Sequence, residues 1–468
     1  MYLSQHDWHS GMLAMLIIAL TVAGIEWSVR KGLFNKNFGR KILHFTAIST
    51  CGYAIDVFED RRILGYIFLF FFFLLLWVVK KGWMQVNENR TYGIAFFPLA
   101  FGLLLLVPVF PVTVVVFSVL TLAICDAAAG LTGEFYGKTK IPFLFEIKSW
   151  AGFFAFYVSC FFLSLFYFRL FSGTGILYCI IIALLPALTE LFSYKGSDNL
   201  SVPLITALWT FLVLQLNTDQ LYILSLVGIS LFLMAYFAIQ RKWLTTSGAT
   251  AAVWLGLLLY LTAGYAGFVA PASFLVIGSL LSKLNEHPGE KNGRNGIQVF
   301  ANGMIGLVCF IIFKISKDPL FLAAALLSFC TSMSDSVSSE MGMYLKGVTI
   351  DIYALKRTTP GLSGGISLAG TLFGLGGAVL SAALSVWVFH LNIFLFYWIT
   401  LGGFAGMILD SVIGSLFQRK YSNEMGLIYD EPGPGLTLVK GFNWCNNDLV
   451  NILSNLLTTL LFILIHPL

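Results

Sequence analysis

The chain has 468 residues, 58% of them hydrophobic and 11% charged, with a formal net charge of +5. Ordinary soluble domains carry about 25% charged residues, so this composition excludes a soluble domain and predicts an all-α polytopic membrane protein. The small net charge points to no nucleic-acid partner, and its distribution along the chain is more informative than its sum.

About sixteen apolar segments can be drawn, centred near residues 20, 50, 71, 101, 119, 160, 182, 208, 229, 254, 275, 305, 325, 378, 403 and 457. The first, GMLAMLIIALTVAG, lacks a basic stretch before it and a small-residue cleavage site after it, and reads as a retained helix. Seven cysteines sit singly, with no C-x-x-C, so neither a disulfide framework nor a zinc site is predicted. Every Lys and Arg except Arg61, Arg62, Arg169, Lys314 and Lys317 falls in an odd-numbered loop. The positive-inside rule then places the odd loops in the cytoplasm and both termini outside.

The odd loops also hold the unusual polar stretches: RKGLFNKNFGRKILHF, NENRTYG, ICDAAAGLTGEFYGKTK, TELFSYKGSDNLSVP, SKLNEHPGEKNGRNG, SDSVSSEMGMYLKG with ALKRTTPGLSGG, and QRKYSNE through FNWCNNDLVN. A charged, Gly-rich face suggests an anionic co-substrate entering from that side, with a nucleoside triphosphate as the natural candidate.

Two of these stretches share their punctuation. Asp126 and Asp335 each close an apolar run; Gly133 and Gly342 each follow seven residues later; lysines come next, Lys138 with Lys148 and Lys346 with Lys356. A glycine-containing helix start follows, KSWAGFF in one and TPGLSGGISLAG in the other, and then Asp198-Asn199 or Asn447-Asp448 opens an apolar helix. This order predicts two related bundles, residues 1–240 and 241–468, joined near Gln240-Arg241-Lys242. Repeats are also common in secondary transporters, so duplication alone does not select an enzyme.

On a phosphate reading, Asp126, Asp198 and Asn199 are candidate ligands for a divalent cation, which takes hard oxygen ligands. Lys138 and Lys148 would neutralise phosphate oxygens, and Ser149 with Gly152 would start a helix whose N–H groups favour an anion. Gly133 belongs to the same phosphate-binding stretch. GEFYGKT is not a Walker A loop, because Gly133 and Gly137 enclose three residues rather than four and no βαβ pattern surrounds them. The plain alternatives stand beside this. Asp126 could bond backbone, the small residues could permit helix packing, and Lys138 and Lys140 could set topology. His44 reads as structural, and Glu190 repeats the Asp126 problem in a weaker context.

With these motifs in view, the first half resembles the phytol and dolichol kinase family, relatives of phosphatidate cytidylyltransferases. The matching pieces are RKILHFTA, RTYGIAFFPLA, ICDAAAGLTGEFYGKTKI, KSWAGFFAF and TELFSYKGSDNLSVPLI, within residues 38–210. That family's K-S-x-E-G is KSWAG here, with Ala151 where the acid stands. The second half resembles the membrane family containing plant phytyl-phosphate kinase, through TTSGATAAVWLG, QVFANG, SDSVSSEMG, KRTTPGLSGGISLAGT, GFAGMILDSVIGSLFQ and NWCNNDLVN. The resemblances imply a prenol kinase unit and a prenyl-phosphate kinase unit, with CTP as donor, Mg²⁺ as cation, and prenol and prenyl phosphate as membrane-held substrates. The second site would use Asp335, Glu340, Asp410 and Asp448 as acids, Asn302 and Asn447 as amide ligands, and Lys356, Arg357, Gly364 and Gly365 around phosphate. The alternatives are a CTP-using lipid-phosphate cytidylyltransferase and a repeat-built secondary transporter. Prenol length and oligomeric state are not indicated.

Overall fold

A computed structural model describes residues 4–81, 93–142, 147–169, 175–193, 196–285 and 293–465. The charged positions 87–92, 194–195 and 286–292 of the stretches quoted above lie outside the described residues. The protein is an all-α polytopic membrane protein. Among the described residues, twelve helices are long and apolar enough to cross a membrane and three shorter apolar ones accompany them. With Lys36–Val57 these make sixteen helical segments, one at each predicted centre.

Contacts divide the chain into two compact units, Met1–Ser225 and Leu226–Leu468. The first contains α1 (Gln5–Arg30), α2 (Lys36–Val57), α3 (Arg61–Lys81), α4 (Gly93–Leu106), α5 (Val112–Tyr136), α6 (Trp150–Arg169), α7 (Ile176–Phe192) and α8 (Asp198–Leu214). Within it, α1 packs on α2, α3 on α4, α5 on α2 and α6, and α8 on α4, α5 and α7. The division falls inside α9 (Thr218–Gln240), short of the boundary at residues 240 and 241 read from sequence.

The second unit contains α10 (Thr246–Ala263), α11 (Tyr265–Ser282), α12 (Gly296–Ser316), α13 (Pro319–Tyr344), α14 (Leu368–Val388), α15 (Ile393–Phe417) and α16 (Asn447–Ile465). Here α13 is the hub, packing against α11, α12, α14, α15 and α16. Its Ala, Ser and Gly content lets neighbours approach closely, which is how membrane helices associate without a hydrophobic drive between them.

Two features depart from the expectations drawn from sequence. The helix carrying Asp126 does not end there: a π-helical turn, Leu122–Asp126, carries α5 on through Ala127–Tyr136. The run of alanines sustains the helix, so the fall in hydropathy marks a change of surroundings and not of secondary structure. Asp335 likewise lies inside α13. Among the described residues, three small antiparallel sheets also join the helices. Strands β1 (Lys140–Pro142) and β2 (Ile147–Ser149) pair, as do β3 (Thr349–Asp351) and β4 (Gly365–Ser367). Strand β5 (Lys420–Ser422) lies between β6 (Ile428–Tyr429) and β7 (Thr437–Lys440).

A buried clasp ties two of these sheets together. Asp351 accepts the Ser415 hydroxyl at 2.6 Å and the Ala354 amide at 2.8 Å, and pairs with Lys420 at 3.5 Å. Lys420 also donates to the Ser363 carbonyl at 2.7 Å. Burial pushes the Asp351 carboxyl up, but the Ala354 amide, the Ser415 hydroxyl, Lys420 and Lys440 outweigh it and hold it down at about 2. A lowered folded-state value means that this stability is full above the ordinary carboxylate range near pH 4 and is lost as pH falls toward 2. Melting temperature in detergent is expected to fall across that window, and an Asp351→Asn protein is expected to lack that part of the slope. Asp351→Ala, which strands buried Lys420, is expected to cost on the order of 3 kcal/mol.

Candidate functional site

The first unit holds a cavity of about 1750 Å³. One end is charged, lined by Lys41, His44, Asp126, Lys148, Glu190 and Asp198; the rest is a greasy limb between α1, α2 and α3. The sequence motifs meet at the charged end. Asp126 comes from the π-helical turn, Lys148 and Ser149 from β2, and Asp198 and Asn199 from the first turn of α8. Gly133 also lines it, whereas Lys138 is exposed beyond the lining and Lys140 contributes instead.

Several of these groups are already engaged. Lys148 Nζ donates to Glu190 Oε1 at 2.7 Å, and Lys41 Nζ to Glu134 Oε2 at 2.6 Å. Asn199 Nδ2 donates to the Gly93 carbonyl at 2.9 Å, which turns Oδ1 toward His44 Nε2 at 2.7 Å. An acceptor there requires that Nε2 carry the proton in the neutral ring. His44 Nδ1 is then the basic nitrogen, 4.0 Å from Asp126 Oδ2. Asn199 therefore orients the imidazole, and its amide oxygen, expected from sequence to serve a cation, is engaged by that ring. Asp198 Oδ1 is buried without a hydrogen-bond partner, an arrangement that a cation would relieve.

Ser149 caps α6, accepting the Gly152 amide at 3.1 Å. A Cβ on Gly133 would stand 3.1 Å from Ser149 Oγ and 3.7 Å from Gly152 Cα, so this glycine permits a close helix crossing. The second unit repeats the device. Ser367 caps α14 through the Gly370 amide at 3.1 Å, and a Cβ on Gly342 would stand 3.2 Å from Ser367 Oγ. Aligned on the two capping serines, Lys148, one residue before the first, corresponds to Ile366 and not to Lys356. Lys356 and Arg357 lie exposed in the turn between β3 and β4. Gly364 has φ +81° and packs against Ser415, and Gly365 pairs with Asp351 in the hairpin, so both glycines serve the hairpin's geometry.

Of the second unit's acids, Asp335 feels the charges of Asp410, Arg294 and Glu340. Glu340 is buried and accepts Asn285 Nδ2 at 2.7 Å. Asp410 is buried and accepts the Ser454 hydroxyl at 2.8 Å. Asn302 donates to the Gln298 carbonyl within its own helix at 2.8 Å. Asn447 opens α16 exposed, and Asp448 approaches Asn446 at 3.4 Å. Among the described residues no group of three or more His, Cys, Asp or Glu could hold a metal ion by itself.

Lys41 carries no motif of its own in the sequence, and His44 reads there as structural. His44 and Asn199 are 155 residues apart in the chain. The signal that could have raised His44 is its place in RKILHF, on the same predicted face as the acid motifs.

Fold and cavity together define a polytopic membrane protein with an amphipathic chamber headed by charged groups. Residues 229–459 match the family described as Integral membrane protein DUF92. The chain is 29% identical over 236 residues to Protein VTE6, chloroplastic, of Arabidopsis thaliana, a match covering 48% of this chain and 65% of that protein. It is 28% identical over 210 residues to Uncharacterized membrane protein sll0875 of Synechocystis sp. (42% and 81% covered), and 28% identical over 213 residues to Uncharacterized membrane protein MJ0933 of Methanocaldococcus jannaschii (44% and 89%). The chain thus spans less than two-thirds of the length of the first of these relatives. No solved structure matches.

Proposed function

We propose that this protein is a membrane phosphotransferase of isoprenoid salvage, in which unit 1 phosphorylates a prenol and unit 2 phosphorylates the resulting prenyl phosphate, with CTP as donor entering from the cytoplasmic side. The observation that carries the reading is the cavity of unit 1: a charged head and an apolar limb in one chamber suit an amphiphile whose hydroxyl reacts while its chain stays in grease. The resemblance of the second half to the phytyl-phosphate kinase family supports the second step.

In this reading His44 Nδ1 takes the proton of the prenol hydroxyl. Asp126 stabilises the imidazolium that results, and Asn199 fixes the ring. Lys148 and Lys41 meet phosphate charge, exchanging their carboxylate partners for it. The donor set fits Mg²⁺, which is usually held by one or two carboxylates with phosphates and water completing the shell. Asp126 and Asp198 would hold it, and it would supply charge neutralisation at the transferring phosphoryl group. General-base help is typically worth 10²–10⁴-fold. His44→Gln is accordingly expected to lower the first-step kcat on the order of 10²-fold and to flatten the acid limb of its pH profile. An unchanged profile would remove His44 from this role.

The test of the whole reading is incubation of the purified protein with CTP, Mg²⁺ and a panel of prenols, with products resolved by mass. Prenyl monophosphate followed by diphosphate supports it. A cytidylylated lipid with release of pyrophosphate would support the nucleotidyl-transfer alternative instead.

A further inference from the structure

We infer that the apolar limb of the unit 1 cavity is closed at its far end by a built floor, Phe58 against Gly11, and that this floor sets the longest prenol accepted. The inference rests on unit 1 binding a prenol. One stripe of α2 lines the limb from the charged head downward: His44, Ala47, Thr50, Cys51 and Ala54, then Phe58. Every side chain between His44 and Phe58 on this stripe is small, and Phe58 is the first large one. From His44 to Phe58 the limb runs about 21 Å along the helix, at ~1.5 Å per residue. Since α1 and α3 flank α2 in neighbouring hairpins, Gly11 and Leu64 stand at the same far end, and both line the cavity.

The floor is fixed in place. Phe58 is 3% exposed and caps the C-terminus of α2. A Cβ on Gly11 would stand 3.3 Å from Phe58 Cζ, so the ring rests on the α1 backbone where no side chain intervenes. Just past Phe58, the backbone is tied to the start of α1: Asp7, 1% exposed, accepts the Glu59 amide at 2.8 Å and the Asp60 amide at 3.3 Å. A buried carboxylate satisfied by two amides holds a turn firmly, so the backbone that carries the ring is held against α1. A chain that stays within the limb and exceeds its length must displace the floor or leave its head short of His44 and Asp126.

The experiment measures kcat/KM of the full-length protein with CTP for geraniol, farnesol, geranylgeraniol and a longer polyprenol. Phe58→Ala is expected to raise the ratio of the next longer prenol over the wild-type optimum by roughly tenfold or more, the range a few methylenes in an apolar pocket command. Gly11→Leu, which fills the floor from the other side, is expected to shift preference toward shorter chains by a similar factor. Phe154→Ala, on an exposed position outside the lining, should leave the profile unchanged. An unaltered length profile in folded Phe58→Ala and Gly11→Leu proteins that still phosphorylate prenols overturns the floor and leaves the kinase reading standing. If wild type transfers no phosphate, the kinase reading fails. The floor is then judged by the prenol-induced shift in melting temperature across the same series, whose length cut-off must move in both variants.

Discussion

Asp126→Asn is expected to lower prenol phosphorylation by roughly a few hundredfold while leaving the melting temperature near that of the wild type. Asn keeps the shape of Asp and loses its charge. In the proposed site that charge faces His44 Nδ1 at 4.0 Å and serves both the imidazolium and the cation. Losing one such charge from a phosphoryl-transfer centre removes on the order of 3–4 kcal/mol of transition-state stabilisation. The side chain is partly exposed to the cavity and Asn keeps an oxygen that can accept a hydrogen bond, so the fold should tolerate the change. Gly133 is the contrast. A leucine there would meet Ser149 and Gly152 across the helix crossing and is expected to act on stability. Gly133 lies two helical turns from Asp126 on α5, yet the two substitutions are expected to fail for different reasons. Near-normal first-step turnover by folded Asp126→Asn protein would make the aspartate structural and move the site elsewhere.

Hydropathy made the helices legible, because a membrane span announces itself over a long window of local sequence. It could not show that Asp126 and Asp335 lie within helices, since a drop in hydropathy marks equally well a helix that ends and one that turns toward a polar chamber. The repeated capping serine was visible as SWAG and SLAG, but the lysines were misaligned by matching order where register was needed. What escaped altogether were partners distant in the chain. Lys148 and Glu190 are separated by 42 residues, and His44 and Asn199 by 155. No spacing rule connects residues brought together only by helix packing. The same holds for Phe58, an ordinary apolar residue in sequence and a floor only once α1 lies against it.

Asp335→Asn is expected to stop formation of the diphosphate while the first step continues, so that prenyl monophosphate accumulates. Asp335 shares its surroundings with two other acids, Asp410 and Glu340, and one cation, Arg294. Each of those acids already has a neutral donor, Ser454 for Asp410 and Asn285 for Glu340. Neutralising Asp335 relieves its repulsion with Asp410 and Glu340 while giving up its attraction to Arg294, and Asn keeps the shape of the side chain, so the fold should tolerate it. What the protein loses is negative charge available to a cation or to a proton in transfer. In a site built for phosphoryl transfer such a loss is worth on the order of 10²–10³ in rate. Asp126→Asn should give the mirror result, blocking the alcohol step and sparing added prenyl monophosphate. The pair of variants thus separates the two steps by product, independently of how fast either runs. Loss of both steps from either substitution, in protein that melts normally, would mean that one centre serves both reactions and that the divided assignment is wrong.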